Sequence, residues 1–172
     1  MRQQPPRSFP PPRGPGGSGG SRPSAPRGPS LEERLRSPET VRYYADAERK
    51  AIRRELLDGE AEAVARRLRS IPASQLRRFF GSVMTLKRRV ELEKPPAELI
   101  QAEMALLKAS AAYACKRGKY DRDEERDPDE LLSFFVRHAR SVRDAQDFMA
   151  FARHFEAVVA YHKCFEDKQR RD

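Results

Sequence analysis

Between Ser74 and Val90 the chain places Leu76, Phe79, Phe80, Val83, Leu86 and Val90 at a spacing that an α-helix gathers onto one face. Away from that face lie Arg77, Gly81 and Arg88, with Arg78, Ser82, Thr85 and Arg89 beside them. A chain with such a stretch must bury one side of a helix and leave a cationic side outward, so helix-on-helix packing is the natural architecture. Ser74 is the expected N-cap, which puts Arg77 and Arg78 in the first helical turn. Cations there oppose the helix macrodipole at a cost of up to about 1 kcal/mol. The same free N–H groups, dipole end and guanidinium forks suit an anion. On spacing alone, a phosphate site and a solvated basic face compete.

The rest of the chain repeats the helical pattern. Residues 1–30 hold nine of the 14 prolines, six of the nine glycines, five arginines and no acid. Such a composition cannot bury enough apolar surface to offset ordering entropy, so a disordered Pro/Gly/Arg-rich tail is expected, followed by one helical bundle domain over 31–172. Ser37-Pro38-Glu39 reads as a helix start, with the helix running to about Asp58 and Gly59 ending it. A short helix then turns Ala61, Val64, Ala65 and Leu68 inward. Lys94-Pro95-Pro96 stops the Ser74 helix and starts the next. In that next helix Ile100, Met104, Leu107, Ala111 and Cys115 share one face while Leu99, Leu106 and Tyr113 take another, the pattern of a central, tightly packed helix. Asp127-Pro128-Asp129-Glu130 and Ser141-Val142-Arg143-Asp144 read as two further starts. The last helix buries Phe148, Phe151, Ala152, Phe155, Val158 and Val159. Nothing reads as a strand. The expected fold is all-α, a compact bundle of five to six helices with short connections.

Charge points to a polyanion. Net charge is +9, and outside the first 30 residues it falls to +4, but residues 71–119 carry ten Lys and Arg against four Glu. A basic patch on a near-balanced body faces a polyanion. Arginine outnumbers lysine 27 to 8, which suits bidentate phosphate contacts, although a GC-rich genome gives the same bias. Cys115 and Cys164 belong to no CxxC pair and read as buried reduced thiols of a cytoplasmic protein. No apolar run approaches a membrane span, and the N-terminus lacks the apolar core of a signal peptide.

Catalytic patterns are missing. His138, His154 and His162 form no HExxH, HxxxH or Cys/His cluster, so neither a metal nor a cofactor is expected. His162 projects onto the apolar face of the last helix, where a hydrogen-bonded core or interface histidine is expected rather than a base.

Three segments taken together resemble one family. Ser74-Gln75-Leu76-Arg77-Arg78-Phe79, Tyr113-Ala114-Cys115-Lys116-Arg117 and Phe155-Glu156-Ala157-Val158-Val159-Ala160-Tyr161-His162-Lys163 are similar, in order and spacing, to the small subunit of type III-A CRISPR–Cas effector complexes. The resemblance covers residues from about 60 to 166, and the last segment is its most specific part. It implies a non-catalytic helical subunit present in several copies, stacked along RRM-like backbone subunits beside a large polymerase-like subunit. It would hold the guide RNA–target RNA duplex. A subunit that accepts any target must touch phosphate rather than base edges. The expected RNA-binding residues are Arg77, Arg78, Lys87, Arg88 and Arg89, joined by Lys116 and Arg117 if the two helices pack side by side. Tyr113, Tyr161 and His162 are expected in packing or subunit contact. The competing readings are a protein–protein adaptor whose basic face meets an acidic partner, then a small DNA-binding regulator, and last an enzyme.

Overall fold

The computed structural model describes residues 29–117 and 129–169, with side chains for 29–115 and 129–166. The expected tail over 1–30 lies, but for its last two residues, outside the described residues, as does Asp127 of the expected helix start, where the N-cap is Asp129. The elements are α1 (Leu31–Arg36), α2 (Arg54–Leu57), α3 (Gly59–Arg67), a 3-10 turn (Leu68–Ser70), α4 (Ala73–Glu93), α5 (Ala97–Arg117), α6 (Glu130–Ser141) and α7 (Ala145–Gln169). Among the described residues there is no strand, only an isolated bridge between Tyr44 and Ile52. The fold is all-α.

The core is organised by α7. It packs on α2, α3, α4, α5 and the 3-10 turn, while α5 packs chiefly on α6. Phe148, Phe151 and Phe155 of α7 are fully buried with Phe134 and Phe135 of α6. The Phe151 and Phe155 rings stack at 6.1 Å, and Phe134 lies 5.4 Å from Phe155. Burying each such ring is worth about 1.5–3 kcal/mol. Phe79 carries α4 into the same cluster, 5.1 Å from Phe135.

Three sequence expectations are corrected. First, residues 37–53 are not helical. Ser37 is the C-cap of α1, whose N-terminus is closed by a capping box between Ser30 and Glu33. Residues 38–53 form an irregular strap across α6 and α7. Tyr43 and Tyr44 are both buried, with the Tyr43 hydroxyl 2.8 Å from His138 Nδ1 and the Tyr44 hydroxyl donating to the Gln146 carbonyl at 2.7 Å. Asp46 accepts from the Lys50 and Ala51 amides, side-chain bonds that compete with helix formation. Arg49 sits in the left-handed region with φ 60°, which no helix continues through. Gly59 accordingly begins α3 instead of ending a long first helix. Second, α5 is not central: Ile100, Met104, Leu107 and Ala111 are buried, but Leu99, Leu106 and Tyr113 are exposed. Third, the start of α7 is capped by Asp144, whose Oδ1 accepts from the Asp147 amide at 3.0 Å, while Ser141 ends α6.

Arg49 clasps the strap to the start of α7. Its guanidinium donates to both oxygens of Asp144, at 2.8 and 2.7 Å, and to Asp147 Oδ1 at 2.7 Å. These bonds hold the Asp144 carboxyl down at about 2, against an ordinary 3.8. Burial pushes His138 well below its ordinary 6.5, and burial also lowers His154. All three groups bind protons more tightly when unfolded, so stability rises with pH through their range. The histidine contribution is complete above 6.5 and is lost as pH falls below it. The Asp144 contribution is complete above 3.8 and is lost on the way down through about 2. Urea midpoints measured against pH are expected to decline in these two stages. Asp144→Asn should lower stability at neutral pH and flatten the second stage alone.

Candidate nucleic-acid interface

The basic helix α4 begins two residues earlier than Ser74 as N-cap would have it. Buried Ile71 anchors the preceding chain, and Pro72 is the N-cap, its carbonyl accepting from the Gln75 and Leu76 amides at 2.9 and 3.1 Å. No side chain caps the helix, and Ser74 lies exposed within its first turn. Arg77 and Arg78 therefore sit in the second turn, beyond the free N–H groups. This removes the dipole-end anion site that the sequence suggested and leaves the side chains themselves.

Packing on α7 fixes which side of α4 faces water. Leu76, Phe79, Val83, Leu86 and Val90 are buried, and Phe80 is half-buried. Arg77, Arg78, Gly81, Ser82, Thr85 and Arg88 are exposed. Among the described residues no ion pair engages Arg77, Arg78 or Arg88, whereas most other arginines of the bundle are paired. Eleven residues separate Arg77 from Arg88, about 16 Å along the axis, so the face is a track for several phosphates rather than a pocket for one.

The other expected residues are placed differently. The Lys87 ammonium is 3.9 Å from Glu156, linking α4 to α7. Arg89 bonds Glu103 of α5 at 3.1 Å and lies 3.4 Å from Glu93. Both cations are thus engaged within the chain. Helix α5 extends to Arg117, but the side chains of Lys116 and Arg117 lie outside the described residues. The main neighbour of α5 is α6, not α4, so the side-by-side packing that would add those two residues to the α4 track is not the dominant arrangement.

His162 is buried and donates from Nε2 to the Leu68 carbonyl at 3.1 Å, fixing α7 to the 3-10 turn. The Tyr161 hydroxyl donates to Asp58 Oδ1 at 3.1 Å. Tyr113 is exposed on α5 in line with Leu99 and Leu106, positions that recur every seven residues. Sequence patterning registered that second apolar side but read it as core. Cys115 is half-buried and Cys164 exposed, which corrects the expectation of two buried thiols. Among the described residues no group of His, Cys, Asp and Glu is placed to hold a metal ion, and no helix is long and apolar enough to cross a membrane. The surface can therefore bind polyanions through three α4 guanidinium groups that no ion pair engages among the described residues, and it can bury an apolar stripe against another protein.

A family model described as Csm2 Type III-A matches residues 51–168. No curated protein and no solved structure matches the chain. The matched span runs from the end of the strap through α7, so it contains the α4 face and the aromatic core.

Gly81 generates a test within this surface. A Cβ added there meets nothing within 4 Å. Packing inside the chain thus gives no reason for a mid-helix glycine, which costs roughly 0.5–1 kcal/mol relative to alanine. Gly81→Ala is expected to raise the urea midpoint of the isolated protein by about that free energy. A lower midpoint would mean that the helix is not packed as described.

Proposed function

Because the chain belongs to the Csm2 type III-A family, and so is a subunit of a type III-A CRISPR effector complex, we propose that it holds the guide RNA–target RNA duplex through sequence-independent phosphate contacts along α4. The observation that carries this reading is the set of three arginines, Arg77, Arg78 and Arg88, which no carboxylate partners among the described residues, on one solvent-facing track. Guanidinium forks match phosphate oxygens and carry no base information, which is what a subunit serving any target needs. Lys87 and Arg89 act chiefly as internal struts, so their contribution to binding is smaller than their charge implies.

The role is structural and not catalytic. The subunit stacks in several copies beside RRM-like backbone subunits and the large polymerase-like subunit, and works in the cytoplasm. The exposed Leu99, Leu106 and Tyr113 supply an apolar surface for such protein contacts. Aromatic side chains concentrate in the core and not on the α4 face, so a surface that tracks backbone fits better than one that stacks bases.

The reading is tested by salt titration. Every phosphate that the protein no longer neutralises should reduce the slope of log K against log salt by roughly 0.7–0.9. Arg77→Glu with Arg78→Glu is expected to weaken binding of two unrelated RNA duplexes by similar factors and to flatten the slope, with helicity unchanged. Lys87→Gln should change the slope little. An unchanged slope in the folded double mutant would assign the α4 face to solvent or to a protein partner.

A further inference from the structure

Gly81 sits in the interior of α4 on its exposed side, and nothing within the chain accounts for it. Its backbone is helical and neither Gly59 nor Gly81 takes a positive φ, so the conformational freedom of glycine is not used there. A Cβ added to Gly81 meets nothing within 4 Å, so no neighbour excludes a side chain either. Gly59 is equally open, but it is the first residue of α3, outside the helix interior in which glycine is costly. The remaining use of a bare backbone is close approach by something outside the chain.

The residues around Gly81 define what approaches. A helix advances about 100° per residue, which puts Arg77 and Arg88 to one side of Gly81 and Arg78 to the other. All three are exposed, and among the described residues no ion pair engages them. Between the two arginine flanks lie Ser74, Gly81 and Thr85, all exposed and all short. Ser82, beside them, donates to the Arg78 carbonyl at 3.2 Å, and among the described residues no hydrogen bond engages the Thr85 hydroxyl. The face therefore carries cations along both edges and short, hydroxyl-bearing side chains along its middle.

That profile discriminates between the grooves of nucleic-acid duplexes. The major groove of B-form DNA is about 8.5 Å deep and is read by long side chains at the centre of a helix face, which this face lacks. The B-form minor groove is about 6 Å wide, too narrow for a helix about 10 Å across. The A-form minor groove of RNA is wide and shallow and displays the 2′-hydroxyls. We propose that α4 lies across the minor groove of an A-form RNA duplex, with Gly81 at the point of closest approach and Thr85 on the 2′-hydroxyls. Arg77 and Arg88 then meet the phosphates of one strand and Arg78 those of the other. The inference rests on the reading of α4 as a phosphate track. It adds the groove, the contact that selects RNA over DNA, and a use for Gly81. An alanine at this position holds the helix off the groove floor and keeps the Thr85 hydroxyl from its partner.

The test titrates the full chain against an RNA duplex and a DNA duplex of the same sequence at one salt concentration. The wild type should bind the RNA about tenfold more tightly, the worth of one or two hydrogen bonds. Gly81→Ala should weaken RNA binding by about tenfold and leave DNA binding unchanged, although the folded protein becomes more stable. Thr85→Val keeps the shape of the side chain and removes the hydroxyl, and it should lower the RNA-to-DNA affinity ratio severalfold. Gly59→Ala makes the same chemical change away from α4 and should alter neither affinity. Equal affinity of the wild type for the two duplexes overturns the proposal. So does a folded Gly81→Ala protein that binds RNA unchanged, or one that loses affinity for both duplexes alike. The two readings fail separately. If Arg77→Glu with Arg78→Glu flattens the salt slope while RNA and DNA bind equally, the phosphate track stands and the groove assignment falls. An unchanged slope in the folded double mutant overturns both and gives the face to a protein partner or to solvent.

Discussion

The aromatic stripe of α7 is the constraint from which the rest of the molecule follows. Phe148, Phe151 and Phe155 are fully buried, and no single neighbouring helix can cover three rings spread over two turns. Helices α3 and α4, the short α2 and the 3-10 turn therefore all pack on α7, and α6 adds Phe134 and Phe135 from another side. Truncating any one of these rings would cost about 3–5 kcal/mol, a large share of the stability of a small domain. Two of the histidines drawn into this centre are anchored on main-chain carbonyls: His154 reaches that of Leu56 and His162 that of Leu68. Each bond also ties α7 to an element that covers it.

This packing sorts the cations into two groups. Where a basic side chain lies near a seam, the partner element supplies a carboxylate. Arg89 meets Glu103 across the α4–α5 seam, Lys87 meets Glu156 toward α7, and Arg49 meets Asp144 and Asp147 where the strap crosses α7. Where the helix faces water alone, as at Arg77, Arg78 and Arg88, no carboxylate comes within reach among the described residues. Exposed charges are screened over about 10 Å at moderate salt, so they cost the fold little and remain available to a phosphate backbone.

The strap between α1 and α2 has a different physical character. Its shape is held by side-chain bonds to other elements, from Tyr43, Tyr44, Asp46 and Arg49, more than by its own backbone pairing. It roofs the gap between α3 and α6, which Arg67 and Glu130 span with an ion pair instead of a packed seam. A gap of this kind is why two histidines can be almost fully buried and still line a cleft.

The amino-acid sequence by itself determined the helical class, the inward faces of α3, α4 and α7, and the basic character of α4. Periodicity records directly which side chains a helix must bury, and each of those faces reads from within one segment. The family resemblance was legible for the same reason, since its motifs lie within single helices. Tertiary structure alone decided the strap, because Tyr43 and Tyr44 gain more by reaching His138 and Gln146 than the segment gains from helix propensity. It also left one apolar side of α5 exposed, because α6 and its other neighbours cover only the opposite face. It decided which arginines remain free and where the cleft lies, since Arg42, Arg67, Phe134 and His154 come from separate segments and no local pattern links them. Pairing and cavities are relations between elements, and they exist only once the elements have packed.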